Sequence, residues 1–203
     1  MSRTTIIRNG RVITATDDYT ADVLMQDGVV RAIGKQLEAG PDVTVVDATN
    51  LYVLPGGVDT HVHMENVIGP TVTCDTFASG TKAAAFGGTT TVVDFALQTA
   101  EDSVLGAIAR AQARAEPQVN IDYSLHCIVT RVDKQVLADV RHAMRHEGVS
   151  SFKMFMAYPG VMMADDAAIF QMLRQVGADG GMVALHAENG TVIELLIKEA
   201  LEA

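Results

Sequence analysis

The sequence predicts an α/β protein: the front part of a (β/α)8 barrel over residues 55–203, preceded by a small antiparallel β-sheet of sandwich type over residues 1–54. Three observations carry this expectation. The first stretch consists of short alternating or β-branched runs separated by turn dipeptides. From Leu54-Pro55-Gly56-Gly57 onward, near-continuous apolar runs alternate with helix-like segments, the pattern of a parallel sheet wrapped by helices. No glycine-rich phosphate loop of the G-x-G-x-x-G or G-x-x-x-x-G-K-S/T kind opens the first helix, so an open nucleotide-binding sheet lacks its usual signature. A small open α/β domain is the other arrangement the residues allow, because a closed barrel needs eight strands and about 250 residues.

In chain order, the first strand candidates are Thr5–Ile7, Arg11–Ala15, Ala21–Gln26, Val29–Ile33 and Thr44–Asp47. Between them, Asn9-Gly10 and Asp27-Gly28 suit the positive φ angles of tight hairpins. No polar triad or glycine loop occurs there, so the segment reads as scaffold. Gly57–His63 is the next strand, followed by a helix at Thr76–Ala85 ended by Gly87-Gly88, and a strand at Thr89–Phe95. Asp102–Ala115 is helical by its apolar spacing, Ile121–Thr130 is a strand, and Lys134–His146 is a helix closed by Gly148 in a left-handed cap. Ser151–Met156, Asp165–Val176 and Met182–His186 continue the alternation as strand, helix and strand. Thr191–Ala203 is amphipathic, with Ile193, Leu196, Ile197 and Leu201 on one side.

Composition narrows the partners. The formal charge of −10 argues against nucleic acid, which favours a basic face. With 48% hydrophobic and 20% charged residues, the chain has ample apolar surface to offset chain entropy, which excludes disorder. Apolar runs such as Thr89–Ala96 and Met182–His186 fall short of the ~20 residues a bilayer span requires. Met1-Ser2-Arg3-Thr4-Thr5 lacks the apolar core of a signal peptide, so a cytoplasmic setting is expected. Cys74 and Cys127 give no disulfide framework, and a reduced compartment fits.

The chemistry concentrates at strand ends. His61 and His63, in Asp59-Thr60-His61-Val62-His63, are two apart and would share one face of a strand, well placed to hold one metal ion. His186 ends the last strand, on the rim where barrel enzymes build their sites; by itself it could equally cap the next helix. Lys153 lies among large apolar residues in Ser151-Phe152-Lys153-Met154-Phe155-Met156. Desolvation would favour its neutral amine, which can add CO₂ to give a carbamate able to bridge two cations; a lysine snorkelling to the strand end is the plainer alternative. Tyr158, in the following loop, could donate its phenol to an oxygen gaining charge. Cys74, Cys127 and His126 read as structural, and His142 with His146 as a solvated helix face.

Pro55-Gly56-Gly57-Val58-Asp59-Thr60-His61-Val62-His63, Gly87-Gly88-Thr89-Thr90-Thr91-Val92-Val93-Asp94-Phe95, Ser151-Phe152-Lys153-Met154-Phe155-Met156-Ala157-Tyr158 and His186-Ala187-Glu188-Asn189-Gly190 together resemble the hydantoinase/dihydropyrimidinase branch of the cyclic amidohydrolases. The blocks run in order over essentially the whole chain, which resembles the N-terminal half of those longer enzymes. The resemblance implies a metal-dependent barrel that hydrolyses the cyclic amide of hydantoins or 5,6-dihydropyrimidines to N-carbamoyl amino acids. It implies two zinc ions: His61 and His63 on the more buried one, carboxylated Lys153 bridging both, and His186 on the second. Tyr158 would be the oxyanion donor, and a further His and an Asp would come from later strands. It also implies a small cyclic imide as the partner, and a homo-oligomer, tetramer or dimer, for the full-length protein.

Relatives acting on dihydroorotate resemble one another in carrying Arg two residues after the second histidine. Here that position is Glu65, which offers no cation for a substrate carboxylate. Asp94-Phe95-Ala96-Leu97 is more similar to hydantoinases than to allantoinases, although an allantoinase-type enzyme stays open. Ile68, Phe155 and Met162 are the candidates for an apolar wall against the ring substituent. The competing class is a non-catalytic dihydropyrimidinase-related interaction protein. Those relatives have lost metal ligands, whereas His61, His63, Lys153 and His186 are all present here.

Overall fold

A computed structural model of the chain describes residues 3–99 and 101–203; Met1 and Ser2, where the leader argument starts, lie outside the described residues. The chain divides into two compact units, Met1–Gly56 and Gly57–Ala203.

In the first unit, β1 (Thr4–Ile13), β2 (Asp18–Gln26), β3 (Val29–Gly34), β4 (Val43–Asp47) and β5 (Tyr52–Val53) form one sheet in the order β3-β2-β1-β4, with β5 also on β1. Asp27 and Gly28 turn β2 into β3 with φ of 51° and 78°, the double positive φ that a tight hairpin demands. Asn9-Gly10 does something else. It lies inside β1 as a bulge, where the register against β2 slips between Ile7 and Gly10. The freed Asn9 N–H donates to Asp22 Oδ1 at 3.0 Å, and Arg8 Nη1 donates to Asp22 Oδ2 at 2.9 Å. A Cβ at Gly10 would collide with the Val53 side chain, so glycine is needed there for close approach rather than for reversal. The sheet is also not purely antiparallel. β1, β2 and β3 are, but β4 and β5 run parallel to β1, because each re-enters after a connection that carries the chain back to the same end.

The second unit contains β6 (Gly57–Asp59), the small hairpin β7 (Val67–Ile68) and β8 (Thr71–Val72), α1 (Phe77–Phe86), β9 (Thr89–Leu97), α2 (Val104–Ala115), β10 (Asp122–Ile128), α3 (Lys134–His142), β11 (Ser151–Phe155), α4 (Asp166–Ala178), β12 (Met182–His186) and α5 (Gly190–Glu202). A π-type turn over Ala143–Glu147 extends α3 and closes at Gly148, φ 71°, in the expected left-handed cap. Thr76, Ser103, Asp133, Asp165 and Asn189 cap α1 to α5 in that order, each accepting an N–H of the first turn.

The large sheet is wholly parallel, in the order β12-β11-β10-β9-β6. Each strand lies beside its sequence neighbour, and the order never reverses. A doubly wound sheet has a switch point where it does reverse. The winding is therefore that of a (β/α)8 barrel, present as its front part. Alternation along the strands sorts side chains onto two faces. Ala96, Leu125, Cys127, Val129, Phe152 and Met154 pack with Val104, Ile108, Val136, Val140, Ile169 and Met172 of the helices. Phe95, Ile128 and Phe155 form a separate cluster on the opposite face, with Leu97 and Met162 against it. Full burial of a side chain such as Phe152 or Met172 contributes about 1.5–3 kcal/mol. The apolar residues of α5, Ile193, Leu196, Ile197 and Leu201, are uncovered. No described helix is long and apolar enough to cross a membrane.

Candidate metal centre

β6 is shorter than the expected Gly57–His63 strand. Asp59 Oδ1 accepts the His61 N–H at 3.1 Å, which turns the chain out of the ladder. Val62 N still donates to Val93 O at 3.2 Å, and Thr73 Oγ1 donates to His63 O at 2.9 Å, so the segment stays pinned beside β9. His61 and His63 consequently remain neighbours off the strand, with ring centroids 5.2 Å apart.

Phe95 joins the parts. Its ring lies 4.7 Å from each of His61 and His63 and 4.9 Å from His126. Lys153 Nζ sits 4.7 Å from the Phe95 centroid and 5.1 Å from that of Phe155. Phe155 in turn stacks on His186 at 5.3 Å. His61, Phe95, His126, Lys153 and His186 line one concavity of about 440 Å³. Among the described residues, no three His, Cys, Asp or Glu side chains form a metal-binding group by themselves. Lys153 is the group that touches both Phe95, against which the imidazole pair rests, and Phe155, against which His186 rests.

The electrostatics favour uncharged donors. Burial pulls the His61 and His63 imidazoles below their ordinary range, and the charges of Lys153 and of the neighbouring histidines add to this. Burial likewise lowers Lys153, which is 9% exposed and has no carboxylate or hydrogen-bond partner among the described residues. The His186 Nε2 lies 3.1 Å from Glu188 Oε1, but out of line for a hydrogen bond, and remains an orphaned buried nitrogen. Imidazoles held below their ordinary range and an orphaned ring nitrogen around one cavity are donors that a divalent metal ion takes, whereas the Lys153 amine as it stands is not.

Tyr158 is held at φ 64°, unusual for an aromatic residue, while its carbonyl accepts the N–H groups of Val161, Met162 and Met163 at 3.0–3.2 Å. That loop sets the half-exposed ring 5.5 Å from His186. Met162 packs on the Phe95–Phe155 cluster, whereas Ile68 is exposed on the β7–β8 hairpin and is not a member of it. Glu65 is a capping group: its Oε1 accepts the Phe77 N–H at the start of α1 at 3.3 Å. The exposed His142 and His146 rings, at the end of α3 and in the π-type turn after it, lie 4.6 Å apart at a tilt of 43°. Sequence reasoning missed His126 and Phe95. Their signal was available, since both occupy inward positions and pair in register across β10 and β9.

Imidazoles that follow β6 and end β12, with a buried lysine on β11 sharing their concavity, place the candidate site of this barrel on the rim where barrel enzymes build theirs. Residues 52–202 match the model of the amidohydrolase family, and the chain belongs to that family. It is similar to the D-hydantoinase of Streptomyces coelicolor, 46% identical over 99% of this chain and 44% of the relative. The dihydropyrimidinase of Dictyostelium discoideum is 37% identical over 98% of this chain and 40% of the relative. The crystal structure of the dihydropyrimidinase from Brevibacillus agri superposes with a TM-score of 0.93 at 46% identity, over 100% of this chain and 43% of that one. The chain thus spans less than half the length of the relatives it matches.

Proposed function

We propose that the complete protein hydrolyses the cyclic amide of hydantoins or 5,6-dihydropyrimidines to N-carbamoyl amino acids, using two zinc ions bridged by carboxylated Lys153. The observation that carries this reading is Lys153: buried, between two phenylalanine rings, without an acidic partner among the described residues, and lining one concavity with His61 and His186. Its neutral amine adds CO₂ to give the carbamate and releases one proton, converting a costly buried cation into an anionic ligand. His61 and His63 would hold one cation and His186 the other through ring nitrogens. When bound, the metals lower the pKa of the attacking water and polarise the ring carbonyl. Tyr158 donates its phenol to the carbonyl oxygen as charge builds there. Phe155 and Met162 present an apolar wall to the ring substituent.

In the complete protein, Lys153→Ala abolishes ring opening of dihydrouracil and hydantoin and lowers zinc content by elemental analysis. Short-chain carboxylic acids restore part of the activity by occupying the bridge. Lys153→Arg does not recover activity, because a guanidinium stays charged and forms no carbamate. An active, zinc-replete Lys153→Ala enzyme refutes the mechanism, and a wild-type protein without zinc favours a non-catalytic relative.

A further inference from the structure

His126 has no role in the reading above, yet both its ring nitrogens are engaged. Nε2 lies 2.9 Å from the carbonyl oxygen of Thr60, and Nδ1 lies 2.5 Å from Ser151 Oγ. A carbonyl oxygen only accepts, so Nε2 carries the ring proton. In the neutral ring, Nδ1 then accepts the hydroxyl proton of Ser151, which leaves no lone pair free for a metal. The two partners are well chosen by position: Thr60 immediately precedes His61, and Ser151 is two residues before Lys153 on the same face of β11. One imidazole on β10 therefore ties the segment leaving β6 to the strand that presents Lys153. That segment has left the β-ladder and has few other tethers, chiefly the Asp59 turn, the Val62–Val93 bond and the Thr73–His63 bond.

We propose that His126 is a positioning residue, a strut that fixes the spacing of His61 and His63 relative to Lys153, and that it is not itself a ligand. This rests on the metal-centre reading of those residues. Outer groups that orient metal ligands typically matter by about 10–100-fold in metal affinity.

The test uses the complete protein, stripped of metal and titrated with zinc against a chromophoric chelator. His126→Phe keeps the packing on Phe95 and the far-UV circular dichroism but loses about 10–100-fold in zinc affinity. His126→Gln, whose amide N–H still reaches the Thr60 carbonyl, recovers most of the loss, and Ser151→Ala loses a few-fold. Nitrogen-15 spectra of the metal-free wild type show His126 as the Nε2–H tautomer. Wild-type zinc affinity in His126→Phe, equal losses in the Phe and Gln variants, or an Nδ1–H tautomer overturns the strut. Should His126→Phe not fold, unchanged zinc affinity in both His126→Gln and Ser151→Ala overturns it instead. A wild type that binds no zinc overturns the metal-centre reading itself, and the strut with it.

Discussion

Phe95→Leu removes no donor from the candidate centre, yet it removes the surface on which the donors rest. In the native protein, one ring contacts His61, His63 and His126 at 4.7–4.9 Å and Lys153 Nζ at 4.7 Å. Each aromatic pair is worth about 0.5–1.5 kcal/mol beyond area burial. These share one ring and do not add, and leucine retains most of the apolar bulk. The expected loss is about 1–2 kcal/mol in the metal-free complete protein, read from urea denaturation. A second effect is electrostatic. Burial holds His61 and His63 below their ordinary range, so water admitted by the smaller side chain lets both rise. Zinc competes with protons for these rings, so the variant's zinc affinity falls more steeply than the wild type's between about pH 8 and about pH 6. Chelator competition at several pH values measures this. An unchanged denaturation midpoint together with a wild-type pH profile of zinc binding would refute the reasoning.

Other perturbations probe the scaffold. Burial pushes the Asp94 carboxyl up to about 6 from 3.8, against the opposing N–H groups of Phe95 and Met64. Between those values the folded state keeps a proton that the unfolded state has lost, so stability falls as pH rises through this window. Asp94→Asn, whose carbonyl still accepts the Phe95 N–H, removes that fall and leaves the metal-free protein about 1–2 kcal/mol more stable above the window; urea titrations on either side of it decide, and an unchanged slope contradicts it. A Cβ at Gly181 would sit 2.6 Å from the Ser150 carbonyl oxygen and from Met144 Cε, and 2.9 Å from Val176 Cγ1. Backbone cannot yield as a side-chain tip does, so Gly181→Ala costs about 1–3 kcal/mol and lowers the melting temperature; an unshifted melt sinks the overpacking argument.

The sequence was most legible where periodicity and side-chain caps agree. Met182–His186 is the observed β12, and α2 to α5 fall within a few residues of the expected spans, because Ser103, Asp133, Asp165 and Asn189 mark their starts chemically. Asn9-Gly10 misled because the same positive φ serves a bulge as well as a hairpin, and the deciding partner, Asp22, is a tertiary contact. Gly57–His63 read as a full strand because nothing local says that Asp59 will capture the His61 N–H. The approach of Lys153 to Phe95 and Phe155 follows from strand alternation, but nothing local to it says that no carboxylate among the described residues pairs with it. His126 looked structural because its two partners, Thr60 and Ser151, come from opposite sides of β10 and share no motif with it.

The unbroken neighbour-to-neighbour order of the parallel strands bears on how the second unit assembles. Each strand needs only the strand made just before it, so each pairing closes a short loop and carries a modest entropic cost. The growing edge can advance one β-α step at a time, in step with ribosomal synthesis. The candidate centre follows a different schedule: His61 and His63 come with the first of these strands, Lys153 with the fourth and His186 with the fifth. Folding therefore runs ahead of chemistry. Of the named candidates His186 arrives latest, after four of these five strands have been made, and a metal captured early by the first histidines would wait on a site not yet finished.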